Sequence, residues 1–210
     1  PEECMRTLET ILPWMPLVLA LSANSPYVAG RLTGLASNRA EILAQLPRSG
    51  APPVFGSYAG WERWVGRFIA TGVASDYTQL WWDVRPHPRF GTLEIRMPDQ
   101  ATALEVSAAL VKLLRDLAEW ALAHPAAEPA ARGVYQQNRW AAGRFGPEAH
   151  LIHDGRLLSV PEFVGALPVE PPELDSTTSE GAQQLAAGDP RSACADIVRR
   201  TWPSRKKTSR

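Results

Sequence analysis

Apolar residues recur at helical spacing from the start of the chain: Leu8, Ile11, Leu12, Met15 and Leu19 predict a helix over residues 2 to 21. Pro13 and Pro16 predict a kink within it. The run ILPWMPLVLALSA, 11 to 23, is the most apolar of the chain. It falls short of the roughly 20 residues that span a bilayer, and no basic stretch precedes it. It reads as buried core. SANSPYVAGRLTG, 22 to 34, is rich in turn formers. Ser37 is placed to cap a short helix over 38 to 46, and PRSGAPPVFGS, 47 to 57, is a connector. A further helix is expected over 58 to 70, ending at Gly72.

Two strands follow, about 79 to 85 and 92 to 97, joined by PHPRFG. The clearest helix runs over 103 to 123, with Leu104, Leu110, Leu113, Leu114, Leu117 and Trp120 on its apolar face. Thr102 and Glu105 have capping-box spacing ahead of it, and His124-Pro125 ends it. Another helix is expected over 134 to 144, stopped by Gly146. LIHDGRLLSV reads as a hairpin, and SVPE at its end as a second capping box. Residues 1 to 167 thus form one α+β unit, with an antiparallel sheet, helices packed on one face and a charged face opposite. An acidic, proline-rich mobile linker over 168 to 188, a terminal helix over 189 to 202 and a disordered basic tail over 203 to 210 complete the organisation.

Charge adds little. With 22 basic and 22 acidic side chains, no global field argues for nucleic acid or an anionic membrane. The basic tail could serve a nucleic-acid adaptor, but it has no interleaved aromatics beyond Trp202. Cys4 and Cys194 match no metal or redox spacing and read as free thiols of a cytoplasmic protein. The chain opens on Pro1 and enters a helical pattern at once, which reads as a fragment or processed chain.

The strand pair changes the picture. In LWWDVRPHPRFGTLEIRMPD, alternation puts Thr92, Glu94 and Arg96 on one face and Leu93, Ile95 and Met97 on the other. Trp81, Asp83 and Arg85 share a face of the preceding strand. With Arg85 across from Thr92, Asp83 falls across from Glu94, and two carboxylates lie about 5 Å apart. Either the flanking arginines or a divalent cation must then neutralise them. One reading is a solvated face of Asp–Arg and Glu–Arg pairs; the other is metal and phosphate handling, for which guanidinium is well suited.

Other features carry less. The HLIH spacing of His150 and His153 puts the two on opposite strand faces. Asn138 and Arg139 lie on a helix whose Trp140 and Phe145 suggest core packing, and Trp81 is placed to flank a nucleotide. There is no GxxxxGK[ST] or GxGxxG loop and no Gly-x-Ser-x-Gly elbow, which weighs against the corresponding nucleotide-binding and hydrolase classes.

The blocks LALSANSPYVAGRLTGLASNR, WWDVRP, TLEIRMPD and QQNRWAAGRFGPEAHLI, in this order from about residue 10 to 165, resemble the glutamate–cysteine ligase type 2 family of carboxylate–amine ligases. That family lies within the glutamine synthetase-like superfamily. Its members are longer, and their N-terminal half adds a glutamate-rich strand, so the resemblance is to a C-terminal portion. It implies phosphorylation of the glutamate γ-carboxylate by ATP, then displacement of phosphate by an amine such as cysteine. It further implies Mg2+ held by Glu94, Arg96 on the transferring phosphoryl group and Arg39 on a carboxylate or phosphate. Asn24 and Ser25 would line the substrate loop. Arg85 would bind substrate or, like Asp83, orient Glu94 and Arg96.

The partners implied are small molecules, not nucleic acid or membrane, with a missing N-terminal half or, from an unpaired sheet edge, a homo-oligomer completing the unit. The rival expectation is a non-catalytic remnant or partner subunit that binds a ligand or another chain. The acceptor amine is not legible.

Overall fold

A computed structural model describes residues 1–201 and turns the most apolar stretch into the centre of the core. Helix α1 (Glu2–Ile11) passes through a 3-10 turn at Leu12–Trp14 into α2 (Met15–Ser22). Pro13 and Pro16 each occupy a first turn, where a missing N–H removes no helical bond. Every residue of α2 is buried, as an all-apolar helix must be.

A tight hairpin, β1 (Tyr27–Val28) and β2 (Arg31–Leu32), precedes α3 (Asn38–Ala44), which Ser37 caps by accepting from the Ala40 N–H. Then come β3 (Ser49–Gly50) and α4 (Tyr58–Ala70), capped by Ser57. The strands β4 (Trp81–Trp82), β5 (Val84–His87) and β6 (Thr92–Ile95) lead into the long helix α5 (Leu104–Ala123). Helix α6 (Arg132–Phe145) ends at Gly146, whose φ of 56° is the left-handed conformation that favours glycine. Next is the hairpin β7 (His150–His153) and β8 (Arg156–Ser159), then α7 (Val160–Gly165) with the expected Ser159–Glu162 capping box. Helices α8 (Glu180–Ala186) and α9 (Pro190–Thr201) close the described chain.

The class is α+β, but the expected single sheet is divided. Three strand pairs, β1–β2, β5–β6 and β7–β8, are antiparallel, and β3–β4 is parallel. Helix α2 packs against α6 and α7, and α1 against α5. A second cluster, with Phe55, Trp61, Val65, Leu80 and Trp82, lies under α4.

Four expectations are corrected. The β5–β6 register is shifted by two: β5 runs on to His87, the turn occupies 88 to 91, and Arg85 rather than Asp83 stands across from Glu94. An even shift preserves the faces, so Leu93 and Ile95 still pack on the core. That shift moves Asp83 off Glu94 to stand by Arg96, and the chain bends there, the Asp83 N–H donating to the Gly50 carbonyl at 2.8 Å. No Thr102 side chain caps α5; Ala103 stands at the cap position, and Leu104 is 78% exposed in the first turn. Trp140 and Phe145 are not core: both are exposed and stack edge to face on each other, on the outer side of α6. Within the stretch expected as linker, α8 forms and buries Glu180 and Gln184. The basic tail over 203 to 210 lies outside the described residues.

The stretch Glu2–Ser22 is long and apolar enough to cross a membrane, and it is mostly buried inside the fold.

Candidate functional site

Strand β6 sets the geometry. Glu94 receives Arg85 on one oxygen, with Nε at 2.8 Å and Nη2 at 2.7 Å, and Arg96 Nη1 on the other at 2.8 Å. Partial burial pushes its carboxyl up, but the hydrogen bonds and charges of Arg85 and Arg96 outweigh that and hold it below the ordinary glutamate range. The two arginines differ. Arg85 is buried and also donates through Nη1 to the carbonyls of Tyr77, Thr78 and Leu80, at 3.3, 2.6 and 2.7 Å. Arg96 is partly exposed, and its Nε is buried without a hydrogen-bond partner among the described residues. Arg96 can therefore serve an incoming anion, whereas Arg85 is a strut of the fold.

Asp83 supports this strand in two ways. Its carbonyl accepts from the Arg96 N–H at 2.8 Å, which fixes where Arg96 leaves the backbone. Its carboxylate turns away, into the interior, and accepts from Tyr135 Oη at 2.9 Å and Arg139 Nε at 2.8 Å. Burial first, and the Asp83 charge second, push the Tyr135 phenol well above its ordinary range. Arg139 also donates to the Ala40 carbonyl at 3.0 Å, so this buried group joins α3, α6 and the strand. Asn138 is structural too: its amide both donates to and accepts from the backbone of Ile152.

Past β6 the chain buries Met97 and brings Asp99 to the centre of a polar hub. The Asp99 carboxylate accepts from the Asn24 N–H at 2.9 Å, Ser25 Oγ at 2.7 Å and Ser37 Oγ at 2.8 Å. Arg39 approaches it at 3.7 Å, while its Nη2 donates to the Arg96 carbonyl at 3.0 Å. Asn24 sends its amide N–H groups to the Gln100 carbonyl and Thr102 Oγ1. Ser25 Oγ accepts from the Arg39 N–H at 3.1 Å. Asn24 and Ser25, expected at the substrate, are thus bonded into the loop that carries Arg39. Asp99 was not singled out from the sequence; the signal for it is the last residue of the block TLEIRMPD.

Arg39 and Arg96 come together on an open cleft of about 310 Å³. Ile95, Pro98, Asp99 and Gln100 line one side, and Ser107, Leu110, Val111 and Leu114 of α5 the other. A cleft lined by two arginines and an apolar wall suits an anionic ligand with carboxylate or phosphate groups. A metal ion is served less fully. Among the described residues no three His, Cys, Asp or Glu side chains converge. Glu94 Oε1 has a single donor, and the side chain is 30% exposed. This carboxylate, beside the cleft rather than in its lining, is open to a cation that arrives with phosphate oxygens, as Mg2+ commonly does.

A family model described as "Glutamate-cysteine ligase family 2(GCS2)" matches residues 1–189. A protein of Rubrobacter xylanophilus named "Putative glutamate--cysteine ligase 2-3" is 44% identical over 150 residues, covering 71% of this chain and 40% of that protein. A second from that organism, "Putative glutamate--cysteine ligase 2-1", is 39% identical over 163 residues, 77% of this chain and 43% of its own length. "Putative glutamate--cysteine ligase 2" of Sorangium cellulosum is 34% identical over 172 residues, with coverages of 79% and 46%. The chain spans less than half the length of these relatives.

Proposed function

This chain belongs to glutamate–cysteine ligase family 2, and from that premise we propose that it carries part of the site of an ATP-dependent carboxylate–amine ligase. The observation that supports the reading best is the convergence of Arg39 and Arg96 on one cleft, joined by the bond from Arg39 to the Arg96 carbonyl. In the proposed reaction the γ-carboxylate of glutamate attacks the terminal phosphorus of ATP, and ADP leaves. The amine then attacks the acyl carbon, phosphate leaves, and the amine nitrogen loses a proton. Cysteine is the default amine, and a cytoplasmic setting supplies all the reactants.

Negative charge accumulates on the transferring phosphoryl group in the first step, and preorganised cations lower its barrier most when they need not move. Arg96 supplies one, held in place by Glu94 and by the Asp83 carbonyl. Arg39 supplies the second, anchoring the substrate carboxylate or a phosphate. Mg2+ brought by the nucleotide would take Glu94 as its protein ligand and offset further phosphate charge.

The test is phosphate release from ATP with Mg2+ and glutamate, with and without cysteine, beside Arg96→Ala and Glu94→Ala. Release that needs glutamate and disappears in both variants supports the reading. Release that persists in Arg96→Ala rejects this cleft as the site. Absence of release from the chain alone, followed by turnover once the rest of a longer relative is supplied, supports a shared site. Continued silence favours a binding remnant.

A further inference from the structure

The segment expected to be a mobile linker grips both sides of the hub that carries Arg39. Gln184 Nε2 donates to Asn24 Oδ1 at 2.6 Å and to the Asn24 carbonyl at 2.8 Å. Beside it the Gly181 N–H donates to the Ala23 carbonyl at 3.1 Å. The backbones approach so closely that a Cβ on Gly181 would stand 2.9 Å from the Ala23 oxygen. One residue earlier, the buried Glu180 carboxylate accepts the N–H groups of Thr102 and Ala103, at 2.7 and 2.8 Å. Arg200 of α9 holds that carboxylate from the far side at 3.1 Å.

The Glu180 bonds hold the segment that leads from Arg96 to α5, and the Gln184 and Gly181 bonds hold the loop at Ala23 and Asn24 that packs on it. Asn24 lies between Gln184 and Asp99, and Asp99 lies between Asn24 and Arg39. Glu180 fixes the backbone just after Gln100 and Ala101, which line the cleft. A buried carboxylate and a buried amide are ordered at a cost in desolvation and entropy, and here their bonds all go to the cleft's supports.

We infer that residues 179 to 186 are a clasp that positions the anion-binding cleft, with Gln184 and Glu180 as positioning residues acting through Asn24, Asp99 and the start of α5. The affinity part of this inference rests on the ligase reading; the mechanical part does not.

The test uses the full chain as wild type, Gln184→Ala and Gly181→Val, with Arg132→Ala as a control. Arg132 bonds Glu9, Pro52 and Ala130, none of which touches the clasp. Amide exchange is followed at residues 23 to 25 and 99 to 103, ATP affinity is measured by titration, and melting temperature gives the general loss of stability. Both clasp variants are expected to speed exchange at those amides and to weaken ATP binding about tenfold, as loss of a buried hydrogen bond implies. Arg132→Ala is expected to lose stability with no such local opening and no such loss of affinity.

Unchanged exchange at 23 to 25 in both clasp variants overturns the inference. So does opened exchange with unchanged affinity, or a loss of affinity that the control matches. A wild type that binds no ATP, alone or with the rest of a longer relative supplied, yet opens at these amides when Gln184 is removed, keeps the clasp and rejects the ligase reading.

Discussion

Arg85 and Glu94 face each other across the β5–β6 pair, and the arginine is bonded through all three of its nitrogens: two to the Glu94 carboxylate and the third to three backbone carbonyls. Arg85→Ala is expected to lower stability by about 3–5 kcal/mol, because it leaves one oxygen of the carboxylate and the carbonyls without their donor. Arg85→Lys is expected to recover little, since an ammonium cannot reproduce the planar fork. Urea unfolding midpoints check both.

The carboxyl of Glu94 titrates below its ordinary range, its arginine partners outweighing burial. A depressed folded-state value means that the unfolded chain takes up the proton first as pH falls. The contribution to stability is therefore complete above the unfolded value of about 4.3 and disappears as pH falls through the folded value. Glu94→Gln should flatten the acid limb of a melting-temperature profile taken below that value. An unchanged acid limb would show that the pair does not hold in solution.

Arg96 is the cation of the strand that the fold has not fully occupied. Arg96→Ala is expected to reduce glutamate-dependent phosphate release about 10²–10³-fold, as removal of one group that stabilises transition-state charge does. Its melting temperature should change far less than that of Arg85→Ala. Single-turnover kinetics beside a thermal melt separate the two effects.

The carboxylate of Asp83 is buried with Arg139 and Tyr135. Asp83→Ala is expected to cost about 3–5 kcal/mol by leaving the buried Arg139 with only the more distant Glu41 carboxylate, at 3.9 Å, as counter-charge. Tyr135→Phe removes one hydrogen bond to a charged group and should cost about 1.5–3 kcal/mol. If the double variant equals Asp83→Ala alone in denaturant unfolding, the tyrosine acts only through the aspartate.

Periodicity located the helices well, since 58 to 70, 103 to 123 and 134 to 144 each carry a long apolar stripe and recognisable stops. Ser37 and Ser159 were legible as caps because a cap is local chemistry. What could not be read is what depends on residues far apart. The register of β5 and β6 turned on whether His87 pairs with Thr92, and two residues of turn length moved Asp83 away from Glu94. Asp99 collects Asn24, Ser25 and Ser37 from more than 60 positions away. Glu180 and Gln184 lie beyond a proline-rich stretch whose composition alone predicts mobility. Of the candidate site, the block TLEIRMPD marked Glu94 and Arg96; the division of labour between Arg85 and Arg96 required the carbonyls of Tyr77, Thr78 and Leu80.

Helix α5 begins at Leu104, and the carboxylate that holds the N–H groups of the two residues just before it belongs to Glu180, 77 positions beyond Ala103. During synthesis the helix therefore leaves the ribosome long before the group that closes its positive end. At the pace of translation that interval lasts several seconds, roughly 4 to 15, far longer than a helix takes to form. Until α8 arrives, the same end of α5 that borders the cleft is open to any solute anion. A nascent chain stalled before residue 180 would carry the arginines of the site on an unfinished wall.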